Sequence, residues 1–188
     1  MTTTTTTAGG FYNFTGVDAL PEGQEYFVFY LNDEFLGNTV DDTLLYRWFG
    51  QSIASYTGGS ADGGSFDIGE LFLVEPSDGI TATLPVTFTW QARAGVTGET
   101  YAWTLFDLDT GLTVCESAPA MSTSFVLDEA FFVDNCAGIL PGIDYGWFVW
   151  AVDGTDFDTA NGYGDSFYVG TLSFERGNVR AYLPTVQK

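Results

Sequence analysis

The 188-residue sequence contains no histidine, and its one lysine, Lys188, is the last residue. Without these side chains the chain cannot build a Ser-His-Asp, Cys-His or Ser-Lys catalytic centre. A carboxylate pair for glycoside hydrolysis is the remaining enzymatic option, because it needs only Asp and Glu. The chain has 25 acidic residues, but nothing in the sequence singles out two of them. We therefore expect a protein that is not an enzyme and that needs no cofactor.

Basic residues are scarce, since five Lys and Arg stand against 25 Asp and Glu, and the net charge is −20. A chain this acidic repels phosphate backbones, so we expect no binding to nucleic acid. Long apolar runs are missing as well. The longest, YFVFYL (26–31) and GWFVWAV (146–152), fall far short of the roughly 20 residues of a membrane-spanning helix. We therefore expect no membrane span.

Helical patterns are nearly absent, and the two best candidates, 38–45 and 128–135, span about two turns each. Strand patterns recur along the chain between turns rich in Gly, Asp and Pro. In VTFTWQ (86–91), apolar residues alternate with polar ones, which is typical of a strand with one buried face. The sequence therefore predicts an all-β fold. The predicted strands are 2–7, 11–15, 25–31, 44–49, 66–74, 86–91, 101–108, 113–116, 124–127, 145–152, 166–174 and 179–183.

The turn-rich segment EPSDG (75–79) separates the first five predicted strands from the other seven, and seven strands suit a β-sandwich. The second group resembles a fibronectin type III or related immunoglobulin-like (Ig-like) domain over residues 80–174. The family pattern Tyr-x-Trp-x-Val-x-Ala after a Pro-Gly turn is matched by Tyr145, Trp147, Val149 and Ala151. The resemblance implies that Trp90 is the core tryptophan of an earlier strand.

The first group of strands is similar to the middle of carboxypeptidase-regulatory-like (transthyretin-like) modules, which are also Ig-type sandwiches. The matching residues are Gly10, Tyr12, Phe14, Gly16, Pro21, Gly23, Tyr26 and Val28. The acidic residue that usually follows the threonine strand is missing, and so are the one or two strands that precede this segment in the family. A sandwich short of strands exposes a hydrophobic cleft and unpaired strand edges.

We therefore expect two tandem Ig-like β-sandwich domains, of which the first is incomplete and is completed by a strand from another subunit. The expected divisions are 1–10 as an N-terminal donor strand, 11–76 as the carboxypeptidase-regulatory-like domain, 77–175 as the fibronectin type III-like sandwich, and 176–188 as a C-terminal strand or tail. Such an arrangement resembles secreted bacterial surface proteins, which implies an extracellular location at the cell surface.

The candidate donor strand is the threonine run. Threonine is a good strand former, but a run of one residue type has the same chemistry on both faces and cannot fix a register. Addition of this strand to a sheet of another copy would build a filament, because the contact is head-to-tail. The alternatives are a hairpin with 11–15 and a frayed tail. The predicted assembly residues are Thr2, Thr3, Thr4, Thr5, Thr6 and Thr7.

These features predict a structural subunit of an extracellular, pilus-like bacterial fibril, whose partners are copies of itself in a helical homopolymer. The competing interpretation is a monomeric surface adhesin or carbohydrate-binding module. Aromatic side chains near acidic ones favour it because they can stack on sugars, although aromatics at alternate strand positions more often belong to a core. The residues concerned are Tyr46, Trp48, Phe49, Trp147 and Trp150.

Two kinds of covalent modification are predicted. Cys115 and Cys136 form a disulfide in an oxidising compartment, with two buried free thiols as the alternative. Asn13 begins the sequon Asn-Phe-Thr and is a candidate for N-linked glycan, while the threonine run is a candidate for O-linked sugar.

The loop 153–165 is a weak candidate for a calcium site. It contains Asp153, Asp156, Asp158 and Asp165, and carboxylate oxygens at short spacing are the ligands that Ca²⁺ prefers. The spacing departs from the EF-hand pattern, because no Glu closes the loop. We therefore expect no resident metal, with these four residues as the positions to check.

Overall fold

The computed structural model describes residues 4–5, 7, 10–32, 43–136 and 138–175. Over these residues the protein is all-β, with sheets packed as in a sandwich and one short helix. No described helix is long and apolar enough to cross a membrane. The elements are β1 (Glu25–Leu31), β2 (Arg47–Ala54), β3 (Phe72–Glu75), β4 (Ile80–Ala82), β5 (Val86–Gln91), β6 (Thr100–Asp107), β7 (Thr113–Glu116), β8 (Ser124–Leu127), α1 (Glu129–Asn135), β9 (Asp144–Val152), β10 (Gly162–Asp165) and β11 (Gly170–Phe174).

The larger sheet has eight strands and forks at β9, its longest strand. On one side, β9 pairs with β6 along almost its whole length, and β6 then pairs with β7. On the other side, β9 pairs with β10 and β11 in succession. One branch continues from β10 to β2 and β1, and the other continues from β11 to β4 by a parallel pairing. A second sheet has the order β3-β5-β8.

The core lies between the two sheets and is built mainly from aromatic side chains. The ring of Phe88 on β5 lies 4.6 Å from Trp103 on β6 and 5.0 Å from Trp147 on β9, and all three are almost fully buried. The predicted alternation of β5 is confirmed, because Val86, Phe88 and Trp90 are buried while Thr87 and Gln91 are exposed. Packing of this kind, between inward-facing side chains of two sheets, is what makes the fold a sandwich.

The two halves of the chain share both sheets. Strand β3 lies before the predicted boundary at 76/77 and pairs with β5 after it, while β2 pairs with β10 from the second half. Leu45, Trp48 and Leu71 belong to the same buried cluster as Trp103 and Trp147. The expected pair of separately closed domains and the completion of the first by another subunit are therefore not confirmed. The physical reason is that the hairpin β1–β2 extends an existing sheet and does not build a second sandwich.

A buried arginine joins the halves. The Arg93 guanidinium forms an ion pair with Glu99, and the two side chains are 1% and 2% exposed. Its Nη1 donates hydrogen bonds to the carbonyl oxygens of Asp67 at 2.5 Å and Gly69 at 3.3 Å, and its Cζ lies 5.3 Å from the centroid of the Trp48 ring. One side chain of the sandwich thereby holds the segment that leads from β2 to β3.

The strand bounds predicted from sequence are correct for β1, β5, β7 and β8. The candidate helix 128–135 corresponds to α1, and Asp128 caps it by accepting a hydrogen bond from the Phe131 amide. Residues 11–15 are not a strand, because Tyr12 packs on Phe66 with ring centroids 5.9 Å apart and the backbone joins no ladder. Strands β4 and β10 were not predicted. The predicted strand 179–183 and most of the candidate helix 38–45 lie outside the described residues.

Candidate functional site

The outer face of the larger sheet carries a second set of aromatic side chains. On β9, Val149 and Ala151 point into the core, so the intervening Phe148 and Trp150 point outward, where they are half-buried. Their positions follow from the alternation of a strand, because consecutive side chains lie on opposite faces. The sequence GWFVWAV, which is apolar on both faces, therefore serves the core on one side and an exposed aromatic face on the other.

This aromatic face continues across the fork to the edge of the sheet. Phe29 of β1 is paired with Phe49 of β2, and Phe49 is paired with Tyr163 of β10. The corresponding ring centroids are 6.3 Å and 5.3 Å apart, and Tyr163 lies 5.7 Å from Trp150. Cross-strand aromatic pairs of this kind stabilise a sheet. They also form a continuous surface of ring faces and edges.

An ion pair lies among these rings. Nε of Arg47 donates to the two carboxylate oxygens of Asp165 at 2.9 Å and 3.1 Å, and the guanidinium carbon lies 5.2 Å from the centroid of Trp150. The Asp165 side chain is 8% exposed and that of Arg47 is 35% exposed. Burial raises the pKa of Asp165, and the nearby Arg47 charge opposes that shift. Nη1 and Nη2 of Arg47 have no hydrogen-bond partner among the described residues.

Beside the ion pair is a concavity of about 290 Å³, which we call the aromatic cup. Its walls are the side chains of Tyr46, Phe106, Phe148, Phe167 and Val169, and its polar groups come from Arg47, Asp165 and Ser166. A largely apolar concavity with a few convergent polar groups is the usual form of a small-ligand site.

The cup exists because the segment between β10 and β11 does not continue the pairing that both strands make with β9. Ser166 still donates its amide to the carbonyl of Val149 at 3.0 Å, but its hydroxyl turns to the carbonyl of Tyr168 at 2.9 Å, and no regular pairing follows until Gly170. Gly146 on β9 is also required. A Cβ there would lie 2.4 Å from Cζ of Phe106, so only glycine lets that ring lie across the strand.

Strand β10, which the sequence did not predict, depends on two glycines. A Cβ on Gly162 would lie 2.6 Å from Nε1 of Trp48, and one on Gly164 would lie 2.8 Å from Cε3 of the same ring. The tryptophan therefore packs directly against the backbone of β10. Glycine is rare in strands, so GYGD suggested a loop. The sequence signal that could have indicated a strand here is the alternation of Gly162 and Gly164 with Tyr163 and Asp165.

Strand β1 forms the end of the larger sheet, and among the described strands none pairs with its other edge. It has seven residues, whereas each of the other edge strands has three or four residues (β3, β4, β7 and β8). Phe27 and Phe29 on β1 are 59% and 38% exposed. A long apolar edge strand is a surface to which further strands add readily.

Part of the threonine run is described. Thr4, Thr5 and Thr7 are exposed and belong to no strand, while Thr2, Thr3 and Thr6 lie outside the described residues. The amide of Thr7 donates to the carbonyl of Phe11 at 2.8 Å, and the amide of Gly10 donates to the carbonyl of Thr7 at 2.9 Å. These bonds join Thr7 to Gly10 and Phe11, and the described residues of the run form no β-ladder with 11–15.

The four candidate calcium ligands are not brought together. Asp165 is paired with Arg47, and Asp156 accepts hydrogen bonds from the amide and hydroxyl of Thr159, both at 2.8 Å. Asp153 is half-buried and Asp158 is exposed. Within the described ranges, no three acidic or cysteine side chains are grouped so that they could hold a metal ion. The loop is closed by its own hydrogen bonds instead.

The two cysteines are joined in the structure, with their Cα atoms 4.6 Å apart. The bond links β7 to the end of α1 within the second half of the chain. Asn13 is exposed, and the neighbouring Phe14 is half-buried with its ring centroid 6.0 Å from that of Tyr12. The structure thus leaves the first residue of the sequon exposed to solvent.

The five aromatics singled out for sugar stacking divide into two groups. Trp48 and Trp147 are buried in the core, at 2% and 1% exposure, whereas Tyr46, Phe49 and Trp150 lie on the outer face. The sequence did not indicate Phe106, Phe148 or Arg47 as part of a site, because the cup is assembled from four segments that are distant in the chain.

Comparisons of this chain with protein-family models, with curated proteins and with solved structures gave no match. The functional conclusions therefore rest on the residues and geometry described above.

Proposed function

We propose that the protein is a structural subunit of an extracellular fibril, in which the threonine run of one copy adds as a strand to β1 of the next. The observation that carries the proposal is the length and character of β1. It is the longest edge strand of the described sheets, its seven residues are enough to pair with all six threonines of the run, and its exposed large side chains are aromatic. Backbone ladders of about six hydrogen bonds, at roughly 0.5–1.5 kcal/mol each, would hold such a contact.

The state of the threonine run supports the donor role. Thr4, Thr5 and Thr7 are exposed outside any strand, and Phe11, which follows the turn, is 76% exposed. A run of strong strand formers without a ladder in its own described surroundings is available to another copy. The contact is heterologous, so it propagates into a filament unless the geometry closes a ring.

The remainder of the chain supports a surface-protein scaffold of the Ig-like type. Tyr145, at the start of β9, has its hydroxyl bound to the backbone of Leu140, whose amide donates to it at 2.7 Å. A tyrosine at this corner, bound to the backbone just upstream, is a feature of Ig-type sandwiches. The disulfide of Cys115 and Cys136 suits an oxidising, extracellular location.

Deletion of residues 1–10 tests the donor role. The truncated chain should fold, because its core centres on Phe88, Trp103 and Trp147, but it should stay monomeric in negative-stain microscopy and sedimentation. A synthetic peptide of the threonine run should bind the truncated chain in excess, and a peptide with proline at alternate positions should not. Fibrils of normal morphology from the truncated chain would refute strand donation.

A matched pair of charge variants tests the acceptor. Phe27→Lys with Phe29→Lys places two lysines on β1 and should abolish assembly, because charged residues on an edge strand oppose strand addition. Phe72→Lys with Val74→Lys makes the same change on the edge strand β3 of the other sheet, where the side chains are 48% and 55% exposed, and should leave assembly intact. Loss of assembly only in the β3 pair would assign the acceptor edge to the smaller sheet.

A further inference from the structure

We propose that the aromatic cup binds one ring of a neutral saccharide, a function separate from assembly. The cup opens beside the ion pair of Arg47 and Asp165, where the larger sheet forks at β9. Its volume of about 290 Å³ lies just below the roughly 300 Å³ at which the usual range of ligand sites begins. It therefore suits a single ring and not a long flexible chain.

The charge of the site favours a neutral ligand. The one cationic side chain of the cup is already paired with its one carboxylate, so the cup contributes no net charge. The chain as a whole carries a net charge of −20, which repels anions at long range. A cation would meet the Arg47 guanidinium at the mouth of the cup. A neutral molecule is repelled neither by the net charge of the chain nor by the Arg47 guanidinium.

The chemistry of the lining favours a ring that is apolar on its faces and polar at its rim. Phe106, Phe148 and Phe167 offer aromatic surface, on which the C–H face of a pyranose can pack. Arg47 offers the N–H groups of Nη1 and Nη2, which have no partner among the described residues and can donate to ring or hydroxyl oxygens. Its Nε bond to Asp165 fixes the orientation of the guanidinium plane. An aromatic wall with fixed donors at one side matches a saccharide better than a purely apolar molecule.

The test uses the full-length chain with the methyl glycosides of glucose, galactose, mannose and N-acetylglucosamine, followed by saturation-transfer NMR and calorimetric titration. At least one glycoside should bind, and glucuronic acid should bind more weakly because it is anionic. Val169→Trp fills the cup from an exposed position and should abolish binding without loss of folding. Arg47→Lys keeps the positive charge but removes the planar donors, and should weaken binding about tenfold, as expected for one lost polar anchor.

Phe27→Ala is the matched control, since it removes an exposed aromatic from the same sheet outside the cup and should leave binding unchanged. The proposal is overturned if no glycoside binds, or if Val169→Trp and Arg47→Lys bind the glycosides as the parent chain does. Assembly is measured separately, so failure here leaves strand donation untouched.

Discussion

The hairpin β1–β2 extends the larger sheet of the sandwich, but the two regions are stabilised differently. In the sandwich, β5 and β9 bury aromatic side chains between two layers, with Phe88, Trp103 and Trp147 in mutual contact. The hairpin is covered on its inner face only, and its outer face presents Phe27 and Phe29 to solvent. The hairpin therefore carries more apolar side chains than its own fold buries. Such a surplus is typical of a surface made for a partner.

The same substitution in the two regions should give the largest contrast. Phe88→Ala leaves a cavity in the sandwich core and should lower the free energy of unfolding by about 3–5 kcal/mol. Phe27→Ala removes a ring that is 59% exposed and should cost about 0.5 kcal/mol. Urea denaturation of the monomeric chain lacking residues 1–10 measures both. Equal losses would mean that the hairpin is as tightly packed as the sandwich.

The next prediction concerns the ion pair of Arg93 and Glu99, which links the two regions. Glu99→Gln removes the buried carboxylate partner of Arg93 and leaves only the more distant and exposed carboxylate of Asp67 at 3.7 Å, which should cost about 3 kcal/mol. Because Arg93 also binds the carbonyls of Asp67 and Gly69, amide exchange should accelerate in the segment between β2 and β3 more than in β5. The double variant Arg93→Met with Glu99→Leu removes both charges and should recover most of the stability. A loss below about 1 kcal/mol for Glu99→Gln would contradict the role given to this pair.

The smallest expected effect is the pH dependence of stability that arises from Asp165 on β10, the strand that joins the hairpin to β9. The pKa of Asp165 is raised in the folded protein, chiefly by burial. Its stabilising contribution is therefore complete below the pKa of the unfolded chain, about 3.9, and is lost as pH rises through the higher folded value. The stability of the parent relative to Asp165→Asn should fall as pH is raised from 4.

Asp78 provides a control of opposite sign. Its pKa is lowered, chiefly by the hydrogen bond from the Thr171 side chain, so its contribution is present above the unfolded pKa and is lost as pH falls through the folded value. The stability of the parent relative to Asp78→Asn should therefore rise as pH is raised from 3. If both differences have the same sign, the direction given for Asp165 is incorrect. Thermal denaturation across pH 3–7 provides the comparison.

Most of the sandwich could be predicted from the sequence, because its strands have regular alternation and are bounded by turn residues. Val86–Gln91 and Thr113–Glu116 are examples whose bounds agree with the structure. Strand β10 could not be predicted in this way, since its glycines are required by the Trp48 ring from a segment more than 100 residues away. For the same reason, the sequence offers Asp165 only as a weak calcium candidate and gives no sign of its partner, Arg47. Contacts between distant segments, and not local preferences, decide these positions.

The fork of the larger sheet has a mechanical consequence. A pull applied to β1 is transmitted through β2 and β10 to β9, while the branch of β11 and β4 lies outside that path. All the pairings on the path are antiparallel ladders, and a force directed along the strands loads the hydrogen bonds of each ladder together. The disulfide of Cys115 and Cys136 lies on the far side of β6 and bears none of this load. The ladders of β10 with β2 and β9, of four and three residue pairs, are the shortest on this path and should yield first, which leaves Trp48 in the core cluster as the remaining tie between hairpin and sandwich.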